Sequence, residues 1–283
     1  MEQVIGHSVA KDLLLRMVKS GRLGSGLILV GAEGVGKRVL AESLISSIGG
    51  GSQKGLNPDV SIVSRDYNDK GDLKKNISIE QIRDLIQRLT MSSFSGGAKI
   101  GLIDGAETLS FDAANALLKT LEDPSGKTHV LLLATGVANL PATVISRCQV
   151  VHLGLVPRTE IAQALVARGA PQSLANEIAG FAAGRPGVAL TLLKDAEALE
   201  SAVTSKDRLH ELLAASLARR FGIIQESVKG EDKRKEEISQ MLNVWETTLH
   251  DLGEIALLAR LTEARRAITQ NVSPQLALEH AFL

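Results

Sequence analysis

Gly31, Gly34, Gly36 and Lys37 belong to the string Gly31-Ala-Glu-Gly-Val-Gly36-Lys37, which follows a short apolar run and precedes a helical pattern. In that setting G-x-x-x-x-G-K describes a phosphate cradle. The glycines let backbone N–H groups turn toward phosphate oxygens, the following helix presents its positive end, and the lysine adds a point charge. The same residues also suit a Gly-rich turn that holds no nucleotide. A working loop of this kind places Ser or Thr after the lysine, to ligate Mg²⁺; this chain has Arg38. A guanidinium accepts nothing from a metal and adds a second cation beside it. Phosphates are thus attracted while the metal is held poorly, and ATP is expected to bind weakly or not at all.

Two further residues are drawn to the same place. Asp104 closes the apolar run Ile100–Ile103 and Thr135 closes Val130–Ala134, and in an open parallel sheet both face the crevice at the carboxyl edge, beside the loop at Gly31. Asp104 has the position of a Walker B aspartate, and Thr135 that of a γ-phosphate sensor or water-orienting group. Each is otherwise a polar residue ending a strand. Arg147, in Ser146-Arg147-Cys148, precedes the fifth apolar run and so falls at the amino edge. A five-residue strand spans roughly 15 Å, which puts Arg147 out of reach of its own phosphate loop. It is either an exposed or ion-paired arginine, or a finger acting in trans on another subunit's phosphoryl group.

The elements that must hold these residues are legible as five short apolar runs: Leu27–Val30, Val60–Val63, Ile100–Ile103, Val130–Ala134 and Val150–Leu153. Between them run the helical patterns Val39–Ile48, Ser78–Leu89 and Phe111–Leu121; Ser78, with Gln81 three residues on, reads as a capping box. Strand alternating with helix predicts an α/β parallel sheet with helices on both faces. After Leu153 the chain turns Ala/Leu-rich with helical spacing, broken at Pro157, Gly169–Pro171 and Gly184–Gly187. The expected domains are 1–153, 154–204 (short helices) and 205–283 (longer helices). In the last, Leu209, Leu212, Leu213, Leu217, Met241, Leu242 and Trp245 recur at helical spacing, either as more apolar surface than one helical layer hides or as that layer's own core. The charged run Lys229–Glu237 reads as a solvated face.

Composition sets limits. The 283 residues are 44% hydrophobic and 23% charged, as in a globular protein rather than a disordered one. Seven aromatic residues and a balance of 32 Lys+Arg against 32 Asp+Glu argue against a stacking platform or a general basic coat, so any nucleic-acid contact is expected to be local. The single cysteine, Cys148, excludes an internal disulfide and a multi-cysteine zinc module and suits a reducing cytosol. Charges within the first sixteen residues leave no signal-peptide core, and 128–146 is too interrupted for a membrane span.

Seven strings together resemble a known family, the AAA+ subunits of sliding-clamp loaders, and within it the delta prime family of bacterial DNA polymerase III. They are Ile5-Gly6-His7, the phosphate loop, Asn57-Pro58-Asp59-Val60, Ile77-Ser-Ile-Glu-Gln-Ile-Arg83, Ile103-Asp-Gly-Ala-Glu107, Ala113-Ala-Asn-Ala-Leu-Leu-Lys-Thr-Leu-Glu-Asp-Pro124 and Ser146-Arg147-Cys148. Gly184-Arg-Pro-Gly-Val-Ala189 is similar to that family's lid motif. The resemblance implies a RecA-like nucleotide-binding domain (1–153), a helical lid (154–204) and a helical collar (205–283) that joins a pentameric ring. The ring would contain motor subunits of gamma/tau type and a delta-type subunit, and would load the sliding clamp on primed DNA in the cytoplasm. It further implies a stationary subunit without intrinsic ATP hydrolysis, whose Arg147 completes a neighbouring motor's ATP site.

Three departures from a motor fit that role: Arg38, Gly105 where a motor has its acidic base, and Gly187 at the lid-arginine position, with Arg185 two residues away. The family's inserted zinc cysteines are missing, and 49–75 is a polar, Gly-containing segment. The competing reading is an active ATPase, a motor-type clamp loader subunit or another AAA+ motor, in which Glu107 together with a further group restores hydrolysis. A P-loop nucleotide kinase lacks an evident acceptor-binding segment here and leaves the helical carboxyl half unexplained.

Overall fold

The computed structural model of the chain describes residues 4–49, 57–68, 71–94, 96–228 and 235–283. In chain order the first unit comprises α1 (Ser8–Lys19), β1 (Gly26–Gly31), α2 (Lys37–Ile48), β2 (Val60–Val63), α3 (Ile79–Thr90), β3 (Lys99–Asp104), α4 (Phe111–Glu122), β4 (Thr128–Ala134), α5 (Ala142–Ile145) and β5 (Gln149–Leu153). All five expected strands are present within two residues of their predicted bounds. Every pairing is parallel, and the order is β2-β3-β4-β1-β5.

Because strand side chains alternate between faces, a sheet covered on both sides needs apolar residues at consecutive positions. β1 supplies them: Leu27 and Leu29 join Leu14 of α1 and Leu40 and Leu44 of α2 in one core. Ile28 and Val30 join Ile82 and Leu85 of α3 and Leu117 and Leu121 of α4 in the other. β4 divides the same way, Leu131 and Leu133 against Val130 and Leu132. α3 starts as its sequence indicates: the Ser78 hydroxyl accepts from the Gln81 N–H, and the Gln81 side chain accepts from the Ser78 N–H at 3.0 Å. The sheet therefore aims Gly31, Asp104 and Ala134 at one edge and the starts of β1 and β5 at the other.

The second compact unit runs from Arg158 to Leu283, and the first closes at Pro157, four residues beyond the expected Leu153. It holds α6 (Arg158–Val166), α7 (Gln172–Phe181), α8 (Pro186–Lys194), α9 (Ala196–Ala214), α10 (Leu217–Val228), α11 (Lys235–Leu252), α12 (Ile255–Thr269) and α13 (Pro274–Ala281). The expected boundary at 204/205 falls inside the continuous helix α9. The structure decides between the two readings of the helically spaced apolar residues. Leu209, Leu212, Met241, Leu242 and Trp245 are buried in this unit's own core, with Leu213 packed against it. Of the seven, Leu217 alone is an exposed hydrophobic, at 49%. Five helices wrapped around Trp245 have enough surface to hide a face that one layer would leave bare. Of the charged run Lys229–Glu237, residues 229–234 lie outside the described residues, as do 50–56 and 69–70 of the polar segment. Among the described residues no helix is long and apolar enough to cross a membrane.

Candidate nucleotide site and the arginine at the opposite edge

The phosphate loop turns between β1 and α2. Gly36, which precedes α2, has φ 109°, and Gly34 has φ 75°, conformations that cost a side chain strain. Gly31 is required for a different reason: a Cβ there would lie 2.5 Å from the Leu153 carbonyl oxygen. The loop is braced from the Ile5-Gly6-His7 string, where His7 Nε2–H donates to the Val35 carbonyl at 2.9 Å. α2 begins without a side-chain cap, so no side chain of the loop closes off its first N–H groups.

The structure brings four of the expected side chains, Lys37, Arg38, Asp104 and Thr135, to this edge, and engages each internally. Lys37 Nζ folds back to donate to the carbonyls of Gly31 (2.7 Å) and Ala32 (3.0 Å). Partial burial pushes its ammonium below the usual lysine range, while Glu107, Asp104 and Glu33 pull it back up. Arg38 Nε donates to Glu42 Oε1 at 3.0 Å, and its Nη1 donates to Asp104 Oδ2 at 2.8 Å. The bond to Glu42, and after it that to Asp104, hold the guanidinium above its ordinary range against partial burial. The Walker B position thus carries an internal ion pair in place of a metal-orienting carboxylate. These residues fit Mg²⁺ poorly, because the carboxylate that would face the cation is paired with a guanidinium and the position after Lys37 offers no hydroxyl. The turn at Gly34 and Gly36 leads directly into the start of α2.

Thr135 donates through both its Oγ1 (2.7 Å) and its backbone N–H (3.2 Å) to Glu107 Oε1. Glu107 Oε2 is buried with no hydrogen-bond partner. Glu107 sits in a 3-10 turn, Ala106–Thr108, opened by Gly105 at φ 81°, and the residue at the base position carries no side chain. In the second unit Arg185, which precedes α8, donates to Asn243 Oδ1 at 3.3 Å, and Arg265 donates to the same oxygen at 2.9 Å. Nearby Glu246 is held above the usual carboxylate range by burial, against the pull of Arg265 and Arg185.

Arg147 lies where the parallel geometry predicts. Leu27 near the start of β1 pairs with Gln149, two residues beyond it, whereas Lys37 lies past the other end of β1. Within this chain it is ion-paired, one of the two states its sequence position allows. Its Nε and Nη2 both engage Glu122 at the end of α4, and its Nη1 donates to the Thr143 carbonyl (2.9 Å) and Ser146 Oγ (3.2 Å). Burial pushes the adjacent Cys148 thiol up to about 11. Sequence reasoning missed Glu42 and Glu122. The i,i+4 spacing from Arg38 is a readable signal for the first; for Glu122, 25 residues from Arg147, no spacing rule gives one.

Comparison with known proteins adds an independent line. The family described as DNA polymerase III, delta subunit matches residues 6–156, just over half of the chain. Among curated relatives, the DNA polymerase III subunit delta' of Haemophilus influenzae is 47% identical over 88 residues, covering 31% of this chain and 27% of that protein. The subunit delta' of Pseudomonas aeruginosa is 34% identical over 137 residues, covering 43% and 40% respectively. The matched stretches therefore span well under half of these relatives' own length. Among solved structures, a DNA polymerase III gamma subunit-related protein of Thermotoga maritima superposes with TM-score 0.56 at 17% identity, covering 96% of this chain and 97% of that one. The Thermotoga maritima RuvB Holliday junction branch migration motor gives 0.51 at 17%, covering 97% and 85%. At these identities the structural likeness speaks to fold alone, and the fold is that of AAA+ P-loop proteins.

Proposed function

We infer the function of this chain from one premise: it belongs to the DNA polymerase III delta subunit family, a family of the AAA+ clamp loaders, and its relatives there include delta' subunits. It serves as the stationary subunit of a clamp loader. In that role it assembles with motor subunits of gamma/tau type and a delta-type subunit, holds Arg147 toward a neighbour's ATP, and helps place the sliding clamp on primed DNA in the cytoplasm. The observation that carries this reading is the Arg38–Asp104 ion pair. It fills the metal position of the chain's own site, and Gly105 offers no base, so the chemistry is left to other subunits. The short helices α6–α8 act as lid and the helices from α9 onward as collar. Exposed Ile255, Leu276 and Leu283 supply apolar surface for assembly that the buried Trp245 cluster does not.

Two measurements test the reading. Mixed with the motor-type and delta-type subunits of its own genome, the protein is expected to form one defined pentamer by native mass measurement; failure to associate would remove the assignment. The isolated protein is expected to release no phosphate from ATP and Mg²⁺, and to bind ATP weakly or not at all by titration calorimetry. Steady turnover abolished by Lys37→Ala would establish the competing reading, an active ATPase. The partnerless Glu107 Oε2 would then be the candidate base.

A further inference from the structure

We propose that Glu122 is a positioning residue that parks Arg147 within its own subunit, competing with the phosphate the arginine would serve on a neighbour. The inference rests on the stationary-subunit reading above. Its ground is the packing at the amino edge of the sheet. Ser25 Oγ donates to the Leu121 carbonyl at 2.6 Å, tying the end of α4 to the residue before β1. At Gly26 a Cβ would lie 2.5 Å from Cys148 Sγ, 2.9 Å from Leu121 Cδ2 and 3.2 Å from the Arg147 carbonyl oxygen. A residue without a side chain thus lets the end of α4 and the segment bearing Arg147 close on each other. Backbone packing, and not the charges alone, brings Glu122 to Arg147.

The way the guanidinium is held decides what the contact does. A phosphate group is gripped bidentately through a fork of two N–H groups. Here the Nε–Nη2 fork is occupied by Glu122, while Nη1 is turned to Thr143 and Ser146. Engagement with a neighbour's phosphate along that fork therefore requires Glu122 to be given up first. The pair is partly exposed, with side chains 33% and 52% accessible for Arg147 and Glu122. Such a pair biases an equilibrium by about two- to five-fold, enough to restrain a finger and too little to lock it. A nucleotide's more highly charged phosphates displace the carboxylate once the neighbouring site closes.

Two arms test this. In the full-length chain alone, the Arg147 Nε–Hε signal, assigned by its loss in Arg147→Ala, is expected to exchange with water several-fold faster in Glu122→Gln. Unchanged exchange would mean that the contact does not exist in solution. In the reconstituted loader without clamp or DNA, Glu122→Gln is expected to raise the neighbouring site's ATP hydrolysis by about two- to five-fold, and Glu122→Gln with Arg147→Ala to show no rise. A rate equal to or below wild type in the single variant overturns the parking role. If Arg147→Ala alone leaves the loader unaffected, the trans reading fails and this proposal with it. The exchange arm then separates that failure from the absence of the ion pair.

Discussion

Arg147→Ala in the reconstituted loader is expected to depress clamp- and DNA-stimulated ATP hydrolysis at the neighbouring motor site by about 10³-fold or more, the range over which an arginine supplied in trans stabilises charge on a transferring phosphoryl group. The bulk rate falls only in part, because the other sites in the ring keep working; a single-turnover or site-resolved assay recovers the full effect. The expectation follows from the sheet. β1 carries six residues from Gly26 to Gly31, roughly 20 Å at about 3.3 Å per residue, and separates the arginine's edge from Lys37. Loss of the partly exposed pair with Glu122 leaves the monomer's folding nearly unchanged, since such pairs contribute at most about 1 kcal/mol. Lys37→Ala in an otherwise identical assembly is the comparison. Impaired clamp loading in the Lys37 variant, with wild-type behaviour of the Arg147 variant, would place the working site within this chain and end the stationary-subunit reading.

What made the carboxyl edge readable is that its parts obey local rules. Strand runs long enough to name sit beside a Gly-rich turn and a capped helix, and a parallel sheet forces the residues at strand ends to one side. The capping box at Ser78 and Gln81 is such a local rule, fixed by a spacing of three. The ion pairs are another matter. Arg38 and Glu42 are four apart on one helix turn, but Asp104 is chosen over other acids only once β3 lies beside β4, which in turn lies beside β1. Glu122 reaches Arg147 across 25 residues through a close approach at Gly26. No periodicity encodes that contact. In the helical half, spacing revealed amphipathic faces without saying what each face meets. Leu209, Leu212 and Trp245 look the same in sequence whether they pack inward or await a partner, and only the enclosing set α10, α12 and α13 decides it. Leu217, with the same spacing, remains outside.

That enclosed cluster sets the second large effect. Trp245→Ala is expected to destabilise the Arg158–Leu283 unit by about 3–5 kcal/mol, the usual cost of removing a buried large aromatic and leaving its cavity. Trp245 is fully buried among Leu209, Leu212, Ile224, Leu242, Leu249 and Leu278. Its indole N–H donates to the Ser205 carbonyl of α9 at 2.8 Å, and its ring meets Phe282 edge-on at 5.7 Å between centroids. One side chain thus joins α9 and α11 to the residue following α13. A domain of this size is stable by only about 5–15 kcal/mol, so the loss takes a large share of the total. Trp245→Phe keeps most of the volume and forfeits the N–H bond, and is expected to cost less, with about 1 kcal/mol from the bond itself. Trp245 is the sole tryptophan, so its replacement removes the fluorescence probe; denaturant unfolding is followed by far-ultraviolet circular dichroism, with calorimetry as the check. A loss below 1 kcal/mol in Trp245→Ala would show that the unit does not depend on this core. On the proposal that the helices from α9 onward form the collar, entry into the pentamer should be impaired more in Trp245→Ala than in Trp245→Phe, because the less stable unit presents folded helices to a partner a smaller part of the time.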